Sequence, residues 1–394
     1  MLIKRKLEPL LVKLSSYYPV TVLTGPRQSG KTTLAQQAFS EKEYISLEPL
    51  DNRLFAIEDP RGFLNEYKDG AIIDEVQNAP ELFSYIQDFV DRHPQTGRFI
   101  LTGSQNLMLS QAISQSLAGR CGVLTLLPPD WDELQQFSSI PEDLFSLLWQ
   151  GSYPRIYDQN IPAQQWLADY TATYIQRDVR QITQVTDLNS FTNFMKLCSG
   201  STAQEINLSR LGSDAGISHN TAKSWLSILE AAWLIYRLPA WHRNIRKQIV
   251  KAPKLHFIDT GLVCYLLGIR SSDELRHHPL RGAIFESWVA SELQKFKYHQ
   301  NKQILSIYHY RESRGLEIDL LVDTEKDLNL IEIKSASTLN SSFFKNLKQF
   351  INQMDNPNSC KPFLVYGGED NYKRQGVEVV SWKSLMRLSA SLDT

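Results

Sequence analysis

The stretch "PVTVLTGPRQSGKTTLAQQAF" (19–39) places a tight loop between a β-branched strand and a helix. It matches the pattern G-x-x-x-x-G-K-[ST] at Gly25, Gly30, Lys31 and Thr32. The glycines let backbone N–H groups approach phosphates, and the start of the following helix adds partial positive charge. Lys31 is expected to reach the β and γ phosphates, and Thr32 is expected to ligate Mg²⁺. The stretch therefore predicts an ATP site.

Two later strands end in polar side chains that would complete this site. "DGAIIDEVQNAP" (69–80) is an apolar run typical of a buried parallel strand, and it ends in Asp74 and Glu75. Asp74 is expected to hold the Mg²⁺ shell, and Glu75 is expected to polarise the attacking water. "RFILTGSQN" (98–106) ends in polar groups that are expected to sense the γ-phosphate, namely Thr102, Ser104, Gln105 and Asn106, although ordinary turn chemistry is the alternative there. The predicted nucleotide-binding residues are Gly25, Pro26, Arg27, Gln28, Ser29, Gly30, Lys31, Thr32, Thr33, Asp74 and Ser104.

Length and composition limit the classes of protein to which the chain can belong. A length of 394 residues predicts about two to four domains. Because 42 basic and 43 acidic residues give a net charge of −1, any surface that binds nucleic acid must be local. The four cysteines form no C-x-x-C pair, which argues against a zinc ribbon and favours a reducing, cytoplasmic compartment. No apolar run approaches about 20 residues, so no membrane association is expected.

The middle of the chain has the pattern of a helix-turn-helix followed by a strand. In "SGSTAQEINLSRLGSDAGISHNTAKSWLSILEAAWLIYRLPAW" (199–241), two short helices flank the turn "GIS", and "LIYRLPAW" predicts a strand that leads into a wing. One face of the second helix is apolar, through Ala222, Trp225, Leu226 and Leu229. Its start would present polar side chains to DNA, namely Ser218, His219, Asn220 and Lys223.

A basic segment follows the predicted strand. "WHRNIRKQIVKAPK" (241–254) contains no acidic residue and five fixed positive charges, on Arg243, Arg246, Lys247, Lys251 and Lys254. Such a strip is expected to contact phosphates of DNA. Two alternatives remain, because winged helices also serve as protein–protein packing modules and a charge run is often a solvated face.

Near the C-terminus, "GLEIDLLVDTEKDLNLIEIKSA" (315–336) predicts two strands joined by a short polar turn. Because strand side chains alternate between faces, Asp319 and Glu332 lie opposite one another if the turn is symmetric. Like charges so placed cost about 0.2–1 kcal/mol, and a bound cation would remove that cost. In the same register Glu317 lies opposite Lys334, so a simple cross-strand ion pair is the alternative.

Several phrases of the sequence resemble those of P-loop ATPases of the AAA+ and archaeal type. They are "LTGPRQSGKTT", "AIIDEVQ", "ILTGSQN", "LAGR", "GSYPRIY" and "YIQRDVRQI", and together they look like the bacterial ATPases that carry a C-terminal domain of unknown function number 4143. The resemblance implies ATP hydrolysis and association of copies of the chain through the ATPase domain. In AAA+ relatives a neighbouring subunit often supplies an arginine to the site, and the open candidates are Arg120, Arg155, Arg177 and Arg180.

The C-terminal third is similar to the PD-(D/E)-x-K nuclease fold. Its predicted order is helix, three strands, helix and strand, over 280–296, 304–313, 316–323, 328–335, 341–353 and 362–367. The resemblance implies that Asp319 and Glu332 ligate Mg²⁺ or Mn²⁺, with Glu286 as an additional carboxylate. It also implies that Lys334 orients water or stabilises the phosphorane. Hard divalent cations prefer such oxygen ligands.

We therefore expect an α/β chain of four parts. These are a P-loop ATPase core, a helical lid, a winged helix-turn-helix and a restriction-endonuclease-like domain, over 1–135, 136–200, 201–250 and 251–394 respectively. One hypothesis is an ATP-controlled, metal-dependent nuclease that engages DNA. Another is an ATP-switched DNA-binding or protein-interaction protein whose nuclease-like domain is catalytically silent. A third, an ordinary transcription regulator, requires a preferred duplex sequence and no cleavage.

Overall fold

The computed structural model describes residues 2–104, 115–175, 187–242, 251–300, 305–312, 315–324 and 326–392. The chain divides into two compact units. The first unit consists of Met1–Pro129, Ala231–Trp233 and Tyr298–Asn301. The second unit consists of Asp130–Glu230, Leu234–Lys297 and Lys302–Thr394.

The first unit contains a parallel sheet of five strands in the order β2-β3-β4-β1-β5. The strands are β1 (Val20–Thr24), β2 (Glu43–Ser46), β3 (Ala71–Asp74), β4 (Phe99–Thr102) and β5 (Cys121–Thr125). Its described helices are α1 (Glu8–Ser15), α2 (Lys31–Ala38), α3 (Leu50–Glu58), α4 (Pro60–Glu66) and α5 (Leu82–Arg92). A short 3₁₀ turn, Val76–Asn78, follows β3.

The inner strands of this sheet are buried on both faces, which explains their continuous apolar sequences. Every residue of β1, β3 and β4 is buried, whereas β2 at the edge is largely exposed. Val22 joins an apolar cluster with Phe83, and Leu23 joins a second cluster with Leu34. Since all the strands run parallel, their carboxyl ends meet at one edge of the sheet, as the sequence predicted.

The second unit begins with a group of helices. They are α6 (Trp131–Leu134), α7 (Leu144–Gln150), α8 (Pro154–Asp158), α9 (Ala163–Tyr170) and α10 (Leu188–Gly200). Asp143 and Asp187 cap the N-termini of α7 and α10 by accepting backbone N–H groups. A lid role for these helices stays a prediction.

The next elements follow the predicted helix-turn-helix positions. They are β6 (Gln204–Glu205), α11 (Leu208–Asp214), α12 (His219–Ala231), β7 (Ile235–Leu238) and β8 (Lys254–Phe257). The three strands form an antiparallel sheet in the order β6-β8-β7. The predicted apolar face of α12 is buried, whereas its four predicted DNA-facing side chains are exposed.

The remainder of the second unit is helical and then forms a mixed sheet. Its helices are α13 (Thr260–Leu267), α14 (Ser272–His277), α15 (Arg281–His299), α16 (Lys345–Asn352) and α17 (Leu385–Ser391). The strands are β9 (Ser306–Arg311), β10 (Glu317–Asp323), β11 (Leu328–Lys334), β12 (Cys360–Tyr366), β13 (Tyr372–Arg374) and β14 (Val377–Ser381). Their order is β13-β14-β12-β11-β10-β9. The sequence did not predict β13, β14 or α17.

The pairing of β10 with β11 follows the predicted symmetric turn. Leu320 pairs with Ile331, and Asp323 pairs with Leu328. This register confirms the alternation from which the positions of the two carboxylates were predicted. None of the helices in the described ranges combines the length and apolarity needed to span a bilayer.

Candidate functional site

The loop between β1 and α2 adopts a conformation that requires glycine at two positions. Gly25 has φ of 139°, and a Cβ atom there would lie 2.2 Å from the carbonyl oxygen of Leu126. Gly30 has φ of 94° and precedes the first residue of α2. A side chain at Gly25 would therefore displace the backbone, and one at Gly30 would be strained by the positive φ.

The polar groups of this loop are suited to bind phosphate. Nζ of Lys31 is buried and donates to the carbonyl oxygens of Gly25 (3.2 Å) and Pro26 (2.8 Å). Oγ of Ser29 is buried and has no hydrogen-bond partner among the described residues. Because a buried hydroxyl without a partner is costly, Ser29 fits a loop that accepts a ligand oxygen. Thr33 is exposed on α2.

Arg5 supports the loop from the N-terminal side, and sequence reasoning missed it. Its guanidinium is buried and donates to the carbonyl oxygens of Ser29 and Leu127, both at 2.7 Å. These two hydrogen bonds join the loop to the residues after β5. The isolated basic segment at the N-terminus carried no signal for this role.

Asp74 lies at the end of β3 and accepts hydrogen bonds on both carboxylate oxygens. Oγ1 of Thr32 lies 3.1 and 3.0 Å from these oxygens, the hydroxyl of Tyr44 donates at 2.9 Å, and Thr102 also donates. Burial, reinforced by the charge of Asp74, raises the pKa of Tyr44 to about 12. Thr32 and Asp74 are thus brought together as predicted, and they present the oxygen donors that Mg²⁺ prefers.

Glu75 follows β3 in the left-handed region, with φ of 55°. Such a conformation is uncommon for a residue with a side chain and occurs often at functional positions. Gln77 donates to the Glu75 carboxylate and to Oγ of Ser104 (3.3 Å), while the guanidinium of Arg27 lies 3.8 Å from Glu75. Gln77 therefore links two predicted site residues, although no sequence pattern indicated it.

A second group of charged side chains lies on β10 and β11. Oδ2 of Asp319 accepts the backbone N–H of Ile333 at 2.7 Å and lies 3.4 Å from Nζ of Lys334. Nζ of Lys334 also lies 2.7 Å from Oε1 of Glu332. Lys334 thus pairs with Glu332 and Asp319. Glu317, the partner proposed in the ion-pair alternative, contacts a different lysine.

That lysine is Lys254, which also contacts Glu286. Nζ of Lys254 lies 2.8 Å from Oε1 of Glu286 on α15 and 2.7 Å from Oε1 of Glu317 on β10. Burial, followed by the charge of Asp319, raises the pKa of Glu286 above its ordinary value against the effect of Lys254. Burial and Asp319 likewise raise the pKa of Glu332, against the effect of Lys334.

We call this group the acidic cluster. It consists of Glu286, Glu317, Asp319, Glu332, Lys254 and Lys334. Its four carboxylates and two ammonium groups give a formal charge of −2. Within the described part of the chain, Oε2 of Glu332 is buried without a hydrogen-bond partner. An unpaired buried carboxylate oxygen beside excess negative charge fits a divalent cation.

The position of Lys254 corrects one prediction. The sequence assigned this residue to the DNA-contacting strip, but Lys254 is only 1% exposed and its ammonium group is engaged by two carboxylates. A buried cation with such partners is unavailable to phosphates. Lys251 is partly exposed and donates to the carbonyl oxygen of Arg311 at 3.0 Å.

Some predicted residues lie outside the described residues. They are Arg243, Arg246 and Lys247 of the basic strip, Arg177 and Arg180 among the arginine candidates, and Gln105 and Asn106 after β4. Of the remaining arginines, Arg120 pairs with Asp91 at 2.6 Å and Arg155 is exposed on α8. These positions do not identify either arginine as the one that a neighbouring subunit would supply to the ATP site.

Comparison with known proteins assigns three segments. Residues 17–135 match the family described as AAA domain. Residues 141–273 match DUF8612, and residues 281–385 match DUF4143, both described as domains of unknown function.

Two relatives and one solved structure are similar to parts of this chain. The uncharacterized protein Rv2008c of Mycobacterium tuberculosis is 29% identical over 81% of this chain and 71% of its own length. The uncharacterized protein MJ1544 of Methanocaldococcus jannaschii is 24% identical over 77% of this chain and 72% of its own length. The Walker-type ATPase PABY2304 of Pyrococcus abyssi is 14% identical, with a TM-score of 0.45 over 66% of this chain and 94% of that chain. The chain combines an AAA-type P-loop ATPase domain with a C-terminal DUF4143 domain, which confirms the resemblance seen in its sequence.

Proposed function

We propose that the protein binds and hydrolyses ATP, engages DNA, and carries a metal-dependent, nuclease-like C-terminal domain that is controlled by the nucleotide. The ATPase part is supported by the AAA domain match and by the P-loop geometry. The nuclease-like part is carried by one observation: the buried Oε2 of Glu332, beside Asp319 and Lys334, has no hydrogen-bond partner among the residues that the structure describes.

In the ATPase reaction each residue of the loop has a separate task. Gly25 and Gly30 bring backbone N–H groups to the phosphates, and Lys31 exchanges its carbonyl partners for the β and γ phosphate oxygens. Thr32 and Asp74 would hold Mg²⁺, which neutralises the charge that develops on the phosphates. Glu75 orients and polarises the attacking water.

DNA engagement is supported by the order of elements from α10 to β8. A helix, a short strand, two helices and a two-stranded hairpin follow one another, and the short strand pairs with the hairpin. This order supports our proposal of a winged helix, in which α12 would be the recognition helix. The exposed side chains at the start of α12 are those of Ser218, His219, Asn220 and Lys223.

The basic strip gives a direct test of DNA engagement. Replacing Arg243, Arg246 and Lys247 together should flatten the log–log dependence of duplex affinity on salt by about two to three units, because each neutralised phosphate contributes about 0.9. The affinity is measured by fluorescence anisotropy across a salt series. An unchanged slope would remove the strip from the interface and favour a packing role for the winged helix.

In cleavage, three carboxylates of the acidic cluster would bind the cation, and Lys334 would act on the water and on the phosphate. Asp319, Glu332 and Glu286 would hold Mg²⁺ or Mn²⁺, whose charge activates a water and neutralises the scissile phosphate. Lys334 lies within reach of both ligand carboxylates, so its ammonium group is placed to orient that water and to stabilise the charge on the phosphorane.

The test is cleavage of a mixed panel of DNA substrates by the full chain with Mg²⁺ or Mn²⁺, with and without ATP. We expect the wild-type chain to cleave DNA and Asp319→Asn to abolish this cleavage. In Lys31→Ala, cleavage should no longer depend on ATP. DNA binding that changes with ATP, without cleavage of any substrate, would reject the proposed nuclease activity.

A second candidate function is an ATP-switched DNA-binding protein with a silent nuclease-like domain. The ion pairs of Lys254 with Glu286 and Glu317 favour it, because a resident ammonium group already neutralises part of the site. The same cleavage panel distinguishes the two functions.

A further inference from the structure

Lys254 reaches the acidic cluster from a different sheet. It is the first residue of β8 in the three-stranded sheet, whereas its partners lie on α15 and on β10 of the six-stranded sheet. Its side chain is 2% exposed, and its two ion pairs measure 2.8 and 2.7 Å. A lysine is seldom buried so completely unless carboxylates pair with it.

The backbone on either side holds this lysine in place. Lys254 pairs with Glu205 of β6 and with Leu238 of β7. Beyond β7, the backbone N–H of Trp241 donates to the carbonyl of His309 on β9 at 2.6 Å, and His309 donates to the carbonyl of Pro239 at 3.0 Å. The position of the ammonium group therefore depends on strand pairing on both sides.

The location of the charge determines its effect on a cation. Lys254 pairs with Glu286 and Glu317, whereas Lys334 pairs with Asp319 and Glu332. A cation that recruits Glu286 must therefore break or share an existing ion pair and must approach a fixed positive charge. Both effects oppose binding, because like charges this close in a buried site repel each other with little screening by solvent.

We propose that Lys254 is a positioning residue that lowers the affinity of the acidic cluster for divalent cations by holding Glu286 and Glu317 in ion pairs. The inference rests on the proposed metal site. In this proposal a side chain of β8, in the three-stranded sheet, sets the cation affinity of carboxylates on α15 and β10.

Titration of the nucleotide-free full chain with Mn²⁺ by calorimetry tests the proposal. Lys254→Met removes the charge and keeps most of the length of the side chain, and it should bind Mn²⁺ about tenfold or more tightly than wild type. Lys254→Arg retains the charge and should stay close to wild type. Glu332→Gln removes one proposed ligand and therefore shows which part of the binding heat comes from the acidic cluster.

A second variant covers the case in which Lys254→Met does not fold, which circular dichroism would reveal. Lys254→Met combined with Glu317→Gln removes a positive and a negative charge together and frees Glu286. We expect this double variant to bind Mn²⁺ about threefold or more tightly than wild type. A lysine that only supports the fold would lower the melting temperature of these variants in EDTA without tightening Mn²⁺ binding.

The outcomes separate the two proposals. Equal, Glu332-dependent affinities in wild type and in both folded variants would overturn the role of Lys254 and keep the metal site. Absence of Glu332-dependent binding in every protein would overturn both. Binding by Lys254→Met but not by wild type would support the role of Lys254 in its strongest form.

Discussion

The predicted nucleotide site takes most of its groups from one short loop, residues 25–32, whereas the acidic cluster collects six side chains from four elements. The loop is built around backbone N–H groups whose conformation requires Gly25 and Gly30. The acidic cluster depends on side-chain charges that arrive on β8, α15, β10 and β11.

The difference teaches how each site should respond to substitution. In the loop, each functional group has one task and no substitute, so a single change should remove the reaction. In the acidic cluster, the charges share their partners, so a single change should redistribute ion pairs and alter cation affinity and pH dependence. Four expected effects test this contrast, from the largest to the smallest.

Lys31→Ala should abolish ATP turnover and weaken ATP binding. The substitution removes the cation matched to the β and γ phosphates from a site that depends on charge neutralisation. Phosphate release and nucleotide titration measure the two effects. Lys13→Ala, which changes an exposed lysine of α1, is the matched control and should behave as wild type. Normal turnover by Lys31→Ala would show that the loop is not the site of hydrolysis.

Glu75→Gln should slow hydrolysis by about 10²-fold or more while ATP binding persists, because only the water-polarising carboxylate is lost. The glutamine retains the size of the side chain and can still contact Gln77. Single-turnover hydrolysis and nucleotide binding are compared with those of Glu81→Gln, an exposed control that should match wild type. A parallel loss of binding would mean that Glu75 supports the fold of the loop and not the chemistry.

Much of this site could be predicted because each of its three segments carries a signal in its own short sequence. The loop pattern, the strand ending in Asp74 and Glu75, and the strand leading to Ser104 each carry a local signal. Tyr44 could not be found in this way, because it reaches Asp74 only through the pairing of β2 with β3. Gln77 had no feature that distinguished it from a turn residue.

The acidic cluster was predicted in part, and the reason lies in strand geometry. A symmetric turn defined which residues of β10 and β11 share a face, so Asp319 and Glu332 followed from alternation alone. The role of Lys254 did not, because a lysine in a basic segment has the same sequence signal whether it faces DNA or a buried carboxylate. The contacts of β8 with α15 and β10 show that this lysine faces buried carboxylates and not DNA.

Asp319→Asn should show the effect of a shared charge. In EDTA the free energy of unfolding should stay unchanged or rise by about 0.5–1 kcal/mol, because like-charge repulsion falls while the new amide oxygen still accepts the N–H of Ile333. With Mn²⁺ at about 100 times Kd, wild type should gain about 2.7 kcal/mol, and the variant should gain little.

Chemical denaturation of the full chain with and without Mn²⁺ measures both parts, and Asp370→Asn is an exposed control. A loss of stability in EDTA together with no response of wild type to Mn²⁺ would assign Asp319 to structure alone.

Glu332→Gln should change the pH dependence of stability. Because the pKa of Glu332 is raised in the folded state, its stabilising contribution is complete below the ordinary glutamate pKa of about 4.3 and is lost as pH rises through the raised value. The variant has no carboxylate at position 332, so its stability does not fall in this way as the pH rises. In EDTA it should gain about 1 kcal/mol or more relative to wild type between about pH 5 and pH 8.

Urea titrations at the two pH values provide the free energies of unfolding, with the exposed Glu378→Gln as a control. A difference between variant and wild type that does not change with pH would exclude Glu332 as the titrating group.

The two ion pairs of Lys254 also have an evolutionary consequence. Lys254 lies within the segment that matches DUF8612, whereas Glu286 and Glu317 lie within the segment that matches DUF4143. Loss of one side of the contact alone should lower the free energy of unfolding, because the buried charge of Lys254 or Glu286 would then lack this partner. Homologues that replace the lysine should therefore change the glutamates with it. Chimaeras that join these segments from distant relatives should be less stable unless both sides of the contact are inherited together.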